Sequence, residues 1–537
     1  MNLNTPNGND ATQTSNRSRD VVPQSGLCAR CVDGCRGNCE VFQATFRGRE
    51  VIYPGPYGEI TAGADKNYPI DYSHLNIHGY AMGTKGLGVV QGSPDTAIFP
   101  IVNTETAYGW EKKVRMKVPV FTGALGSTDI ARKNWDSFAI GTAMAGITIV
   151  CGENVCGVDP ELELNSDKKI KKSPELDRRI ETYKRYHQGY GEILVQMNVE
   201  DTRLGVAEYV IGKHGLNTIE LKWGQGAKCI GGEIKVDSLE RALELQKRGY
   251  IVTPDPSLEV NQKAFKAGAI KEFERHSRLG FIDHETFLAE VQRLRDLGFQ
   301  RITLKTGAYS LRELAMAIKW GTQAKIDLLT IDGAPGGTGM SPWRMMSEWG
   351  MPSIYLHSAA VEFANYLGKK GEPHICDFAF AGGFSTEDHI YKAISLGSPH
   401  VKAICMGRAL MIPGFVGKNF EQWLKGDDLP KAISKYGTTP EEIFICYERV
   451  KELIGKDEMD KIPYGAIGIY SFVDKLRVGL QQLMAGSRCF RVHAITRNEL
   501  MSLTKECAEV TGIPYVMDSY RQQAMEVLDE ETSFSII

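Results

Sequence analysis

A barrel of eight alternating strands and helices, (β/α)8, is the fold class this sequence predicts, and three observations predict it. Short apolar runs recur that end in glycine: Arg301-Ile-Thr-Leu-Lys-Thr-Gly307, Phe378-Ala-Phe-Ala-Gly-Gly383 and Val401-Lys-Ala-Ile-Cys-Met-Gly-Arg408. The run Asp327-Leu-Leu-Thr-Ile331 opens into Thr330-Ile-Asp-Gly-Ala-Pro-Gly-Gly-Thr-Gly339, where Gly333, Gly336, Gly337 and Gly339 let the chain turn sharply and bring N–H groups to a ligand. Counted along the chain, the candidate strands reach eight. In such barrels ligands sit at the C-terminal strand ends, and a phosphate commonly lies between the loops after strands seven and eight. Gly382, Gly383, Gly407 and Arg408 would form that cradle.

Composition narrows the class. A chain of 537 residues can bury a large core and hold more than one domain. A net charge of −3 gives no reason to expect a nucleic-acid or membrane-surface partner. No apolar run approaches the roughly 20 residues of a membrane span. Residues 1–24 read as a polar, disordered lead without the apolar stretch of a signal peptide. The default expectation is a cytoplasmic protein, in which twelve cysteines are not disulfides.

The first chemistry in chain order is Cys28-Ala-Arg-Cys31-Val-Asp-Gly-Cys35-Arg-Gly-Asn-Cys39. Thiolates so spaced bind soft metals. An iron–sulfur cluster, four-iron (4Fe-4S) by preference, is favoured over a structural zinc site. The spacing is not the common ferredoxin run, so one of the four need not ligate. Residues 25–110 read as this arm and a cover laid across the barrel.

The barrel is expected over 111–415. Strand one is Val118–Thr122, followed by a helix over Thr128–Ala145, and strand two is Gly146–Val150. Cys151-Gly-Glu-Asn-Val-Cys156 follows, a tight turn or a cofactor-facing loop with Glu153 and Asn154 as polar contacts. Its two thiols are candidate metal ligands or a redox pair. Strand three is Glu192–Asn198 and strand four Thr218–Lys222. Strand four opens into Lys222-Trp-Gly-Gln225-Gly-Ala-Lys228-Cys-Ile-Gly-Gly232, where two ammonium groups and an amide suit a carboxylate or phosphate. Lys222, in line between Leu221 and Trp223, should point inward. An excursion over 233–283 precedes the amphipathic helix Thr286–Leu297. Strands five to eight are Arg301–Lys305, Asp327–Ile331, Cys376–Ala381 and Val401–Met406, with a helical insertion over 341–369. Residues 416–537 read as a helical extension that packs on the barrel or forms a homo-oligomer contact. No GxGxxG follows a strand, so no NAD(P)H site is expected.

Lys222-x-x-Gln-Gly-Ala-Lys228 with Gly231-Gly232, Thr330-Ile-Asp-Gly-x-x-Gly-Gly-Thr-Gly339 with Pro342, and Ala381-Gly-Gly383 together resemble the FMN-binding synthase domain of glutamate synthase, over about residues 100–415. The resemblance implies FMN, and reduction of 2-iminoglutarate, formed from 2-oxoglutarate and ammonia, to L-glutamate. It implies that Lys222, Gln225 and Lys228 hold the 2-oxoacid or the flavin edge. Lys305, Asp332 and the loop Gly333, Gly336, Gly337, Thr338, Gly339 would contact FMN, with its phosphate at Gly382, Gly383, Gly407 and Arg408.

Three departures stand beside it. The family's glutaminase domain does not match the start of this chain. Met411-Ile-Pro-Gly-Phe415 stands where the family has a three-cysteine loop, so the arm at 28–39 becomes the candidate electron relay. Cys229 stands where the family usually has proline. A flavin oxidoreductase on another small acid, or an electron-transfer subunit working with a glutaminase and a reductase or ferredoxin, are therefore kept as alternatives.

Overall fold

The computed structural model describes residues 40–47, 68–87, 97–224, 226, 233–336 and 341–529. Eight parallel strands close into a barrel: β1 (Val120–Leu125), β2 (Thr148–Cys151), β3 (Ile193–Met197), β4 (Thr218–Lys222), β5 (Arg301–Thr306), β6 (Leu328–Asp332), β7 (Asp377–Ala381) and β8 (Val401–Met406). Helices α1 (Trp135–Ala145), α2 (Pro174–Tyr186), α3 (Val206–His214), α4 (His284–Asp296), α5 (Leu311–Gln323), α6 (Ser353–Lys369), α7 (Glu387–Leu396) and α8 (Arg408–Gly426) follow the strands in turn. The expected fold class is the observed one. Among the described residues no helix is long and apolar enough to cross a membrane.

Several boundaries shift for physical reasons. β1 begins two residues later than expected because Pro119 has no N–H to give the ladder; its carbonyl instead accepts the Ile404 N–H at 2.9 Å. The helix expected over Thr128–Ala145 is two helices, Asp129–Lys133 and α1, broken at Asn134, whose φ, ψ of −113°, 9° are not helical. The stretch 341–369 is not one helical insertion. It holds a short helix, Trp343–Glu348, and then α6, which is the barrel's own crossover between β6 and β7.

The N-terminal end of the barrel is closed by an antiparallel hairpin, Thr106–Tyr108 against Val114–Met116. Tyr108, Val114 and Met116 pack on Phe121, Val150, Leu194, Leu328, Ala379 and Ala403 inside the barrel. Residues expected to form a cover thus include a plug at the bottom, and the mouth stays at the opposite end. Leu75–Ile77 pairs antiparallel with Leu500–Ser502, so segments before and after the barrel share one layer. Helix α9 (Tyr464–Gly486) lies across α1 and α8. The approach is close enough that a Cβ on Gly417 would meet the Gly465 nitrogen at 2.2 Å. This explains why α1 is apolar nearly all round: one side faces the strands and the other is covered by α9.

The excursion between β4 and α4 folds as a three-stranded antiparallel sheet, Glu233–Val236, Phe273–His276 and Ile251–Thr253 in spatial order. Its own small core of Val236, Ala242, Leu245, Tyr250, Val252 and Phe273 packs against Val158. It stands beside the loop after β2.

Candidate active site at the barrel mouth

Side chains alternate along a strand, so Thr218, Glu220 and Lys222 share one face of β4, and Arg301, Thr303 and Lys305 share one face of β5. The two strands are in register, Lys222 beside Lys305. This produces a polar column inside the barrel. Low in it, Arg301 donates to Glu192 at 2.7 Å and to Thr218 at 2.9 Å. In the middle, Glu220 accepts from Gln196 at 2.6 Å and Thr303 at 3.1 Å. At the top stand the two lysines. Burial pushes the Glu220 carboxyl up, against the pull of Lys305 and its hydrogen bonds.

Lys305 Nζ lies 3.0 Å from Asp332 Oδ2, the last residue of β6, and both side chains are almost wholly buried. Burial alone would lower the Lys305 pKa. Asp332 and Glu220 outweigh it and hold the ammonium well above the ordinary lysine value. Thr330, beside Lys305 in the ladder, has a buried hydroxyl with no hydrogen-bond partner among the described residues, as has the Oε1 of Gln196. These are polar groups in a low-dielectric interior with valence to spare.

The second lysine is met from across the mouth. Lys222 Nζ lies 2.5 Å from Glu153 Oε1, on the loop after β2. Burial raises the Glu153 pKa, but Lys222, with help from Lys305, brings it below the usual carboxylate range. That loop is held stiffly. Asn154 adopts φ 63°, and its N–H donates to both carboxylate oxygens of Asp201 at 3.1 and 3.0 Å. Tyr250 of the antiparallel sheet donates to Asn154 Oδ1 at 3.2 Å. Burial pushes Asp201 up to about 7, opposed by the N–H groups of Asn154 and Asn198. Cys151 and Cys156 are buried free thiols. Burial pushes Cys151 up to about 11 and Cys156 well above its usual value, so both stay protonated near neutrality. Among the described residues no group of three or more His, Cys, Asp or Glu could hold a metal ion.

The glycine turns after β6 and β7 face each other. Gly382 and Gly383 have φ of 107° and 94°, a region that favours glycine. A Cβ on Gly382 would lie 2.3 Å from the Gly333 oxygen. Ser353, at the start of α6, ties the two turns together, donating to Gly382 O at 2.7 Å and lying 3.0 Å from Ala334 O. Gly336 sits so near Asp332 that a Cβ would meet Oδ1 at 2.5 Å. Gly407 and Arg408 are exposed at the end of β8, with open space above Gly407 and Arg408 opening the nineteen-residue α8. A helix N-terminus with an arginine beside it suits an anion.

The structure thus brings Lys222, Lys305, Asp332, Gly333, Gly336, Gly382, Gly383, Gly407 and Arg408 to one end of the barrel. Gln225, Lys228, Cys229, Gly337, Thr338 and Gly339 lie outside the described residues, as do Cys28, Cys31, Cys35 and Cys39. One residue went unread in the sequence. Arg275, on the middle strand of the antiparallel sheet, is 1% exposed. Its guanidinium stands 4.7 Å from the Tyr250 ring, and its Nε has no hydrogen-bond partner among the described residues. Burial lowers its pKa, while Tyr250, Glu153 and Asp201 pull the other way. The only signal was a charge-rich run, Lys271-Glu-Phe-Glu-Arg-His276, which reads equally as a solvated face.

Residues 276–413 match the family model described as the conserved region in glutamate synthase. The barrel carries that region. It spans β5 to β8 and the start of α8, and so includes Lys305, Asp332, both glycine turns, Gly407 and Arg408. The archaeal-type glutamate synthase (NADPH) of Dehalococcoides mccartyi is 26% identical over 195 residues, 36% of this chain and 34% of that protein. The chain therefore matches about a third of the length of this curated relative. Among solved structures, a flavocytochrome b2 variant with benzoylformate gives a TM-score of 0.44 at 11% identity, covering 86% of this chain and 83% of that one. A soluble mutant of the membrane-associated (S)-mandelate dehydrogenase from Pseudomonas putida gives 0.42 at 14%, covering 80% and 88%. Neither likeness bears on chemistry.

Proposed function

We propose that this chain is a glutamate synthase-like, FMN-dependent oxidoreductase that reduces the imine of a small 2-oxoacid, 2-iminoglutarate in the first instance, to the amino acid. The observation that carries the reading is the paired lysine array at the mouth, Lys305 on Asp332 and Lys222 on Glu153, within a barrel that bears the glutamate synthase region.

The residues present fit FMN. The open room above Gly407, the arginine and helix start beside it, and the bare Gly382–Gly383 turn suit a phosphate. The buried Thr330 hydroxyl and the Lys305 ammonium suit a polar ring edge. When bound, FMN supplies a hydride to a carbon centre. Everything else falls to the chain. Lys222, paired with Glu153, and Arg275, whose charge Glu153 also favours, are two cations around one carboxylate and suit the two carboxylates of a dicarboxylic oxoacid. Lys228 is assigned the same role, with Gln225 orienting the imine. Glu153, held as a carboxylate by Lys222, is assigned to take up a proton from solvent once substrate draws Lys222 away, and to pass it to the substrate nitrogen. The buried, fixed charges need little reorganisation as charge moves in the substrate.

Cys28, Cys31, Cys35 and Cys39 are proposed to hold the iron–sulfur cluster through which electrons enter. The ammonia source and the electron donor, a glutaminase and a reductase or ferredoxin, are proposed as separate partners.

The test is anaerobic purification with flavin and iron quantified, then ammonia-dependent turnover of 2-oxoglutarate with an artificial reductant. One FMN per chain and ammonia-dependent glutamate formation are expected. A chain that binds no flavin sinks the proposal; flavin reoxidised by another oxoacid but not by 2-oxoglutarate plus ammonia would shift it to a different substrate. Lys228→Ala should raise KM for the oxoacid and leave flavin content unchanged.

A further inference from the structure

We propose that the N-terminal end of the barrel, opposite the mouth, holds a second binding site, for a small organic anion carrying two or more negative charges. A cavity of about 310 Å³ opens there, at the lower end of the range for small-ligand sites. Its lining includes Lys113, Arg115, Lys184, His187 and Arg301, with Glu192 as the one carboxylate among the described residues.

That carboxylate is already engaged on both oxygens. Oε2 takes Arg301 and Thr218 at 2.7 and 2.6 Å, and Oε1 accepts the Tyr108 hydroxyl at 2.9 Å. Arg115 pairs outside the lining with Glu105 at 2.6 Å, a contact largely open to solvent. Four cations of the lining, Lys113, Arg115, Lys184 and Arg301, therefore meet two paired carboxylates, Glu192 and Glu105, and beyond the lining Lys113 also feels Asp377. The side chain of Lys113 makes no hydrogen bond or ion pair among the described residues. An adjoining cavity of about 600 Å³ shares Lys113 and Arg115 and adds Lys402 and His493, with Glu105 in its lining and Lys402 3.9 Å from Asp377. The plug hairpin is thus a cationic wall between two concavities.

A structural role for this end of the barrel would call for charges that cancel, as Arg301 and Glu192 do. The excess does not cancel, and a concave surface of one sign concentrates its counter-ion. Apolar walls from Val114, Tyr183, Ile193 and Leu216, all buried, shape the cavity for an organic ligand. The site also touches the two strands that matter at the mouth. Thr218 and Arg301 open β4 and β5, which carry Lys222 and Lys305 at their far ends. The inference stands on this geometry and does not depend on the reaction proposed above.

The test is calorimetric titration of the full-length protein with inorganic pyrophosphate and, separately, citrate, each against sodium chloride of equal ionic strength. The same titrations are run on Lys113→Ala, whose side chain has no hydrogen bond or ion pair to lose among the described residues, with melting curves to confirm it is folded. Saturable 1:1 binding of at least one anion is expected, weakened about tenfold in the variant. Pyrophosphate alone would mark a phosphate-bearing ligand and citrate alone a carboxylate. Binding no stronger than the chloride control, or equally tight to Lys113→Ala because the anion sits at the mouth instead, would overturn the proposal.

Discussion

Lys222 Nζ and Glu153 Oε1 lie 2.5 Å apart across the mouth of the barrel, one at the end of β4 and the other on the loop after β2. The pair joins two elements 69 residues apart in sequence. It also gives each charge a partner where water is scarce: the side chains are 11% and 22% exposed. Lys222→Met should leave Glu153 buried and unpaired and cost about 1–3 kcal/mol of stability in urea unfolding, with the m value unchanged. Glu153→Gln should cost less, because the amide can still accept from Lys222. If Glu153 serves the substrate nitrogen, that variant also lowers kcat more than it raises KM.

The Lys305–Asp332 pair is more deeply buried, at 8% and 10%. Removing either partner should destabilise by about 3–5 kcal/mol. The double variant Lys305→Met/Asp332→Leu should recover part of the loss, a coupling readable from a thermodynamic cycle. Flavin content separates stability from function: the double variant is expected to fold and to lose bound FMN. Full retention of FMN in it would remove Lys305 from the flavin site.

Gly382→Ala places a methyl 2.3 Å from a carbonyl oxygen at a φ of 107°. Nothing in that turn can yield cheaply, because Ser353 bonds both sides of it. A loss of about 2 kcal/mol or more is expected, with FMN released on gel filtration. Gly371→Ala, with a φ of 98° but open space around it, tests backbone strain without the clash and should cost about 1 kcal/mol.

Asp201 gives a pH signature. Its carboxyl is pushed from 3.8 up to about 7 in the folded chain. Between those values the folded state binds the proton more tightly than the unfolded one. Its contribution to stability is therefore fully present below pH 4 and falls as pH rises toward 7. Asp201→Asn removes this term, so the difference in unfolding free energy between variant and wild type should change steadily from about pH 4 to 7 and level off about one pH unit above the folded pKa. A constant difference across that window would refute the shift. The variant also loses one of the two oxygens that accept the Asn154 N–H, so a fixed cost should lie beneath the slope.

Much of the architecture was readable from residues. β4 and β8 begin and end where the apolar runs do, and the eight-strand count holds, because a strand buried on both faces is a short continuous apolar run between turn signals. The inward course of Lys222 follows from period-two alternation alone. The break at Asn134 and the late start of β1 were harder, since both depend on which backbone groups a neighbouring strand or turn satisfies.

By itself the sequence determined the fold class, the chemical types at the strand ends and the bare backbone of the turns at Gly333 and Gly382, since each rests on local periodicity or on a missing Cβ. Only the tertiary structure decided that Glu153 meets Lys222, that Asp332 meets Lys305, and that Arg275 comes in from an inserted sheet over the Tyr250 ring, where Glu153 and Asp201 act on its charge. Both ion pairs join segments tens of residues apart, brought to 3.0 Å or less by closure of the barrel, and Arg275 is brought in by burial of the sheet against the loop after β2; no local pattern encodes either.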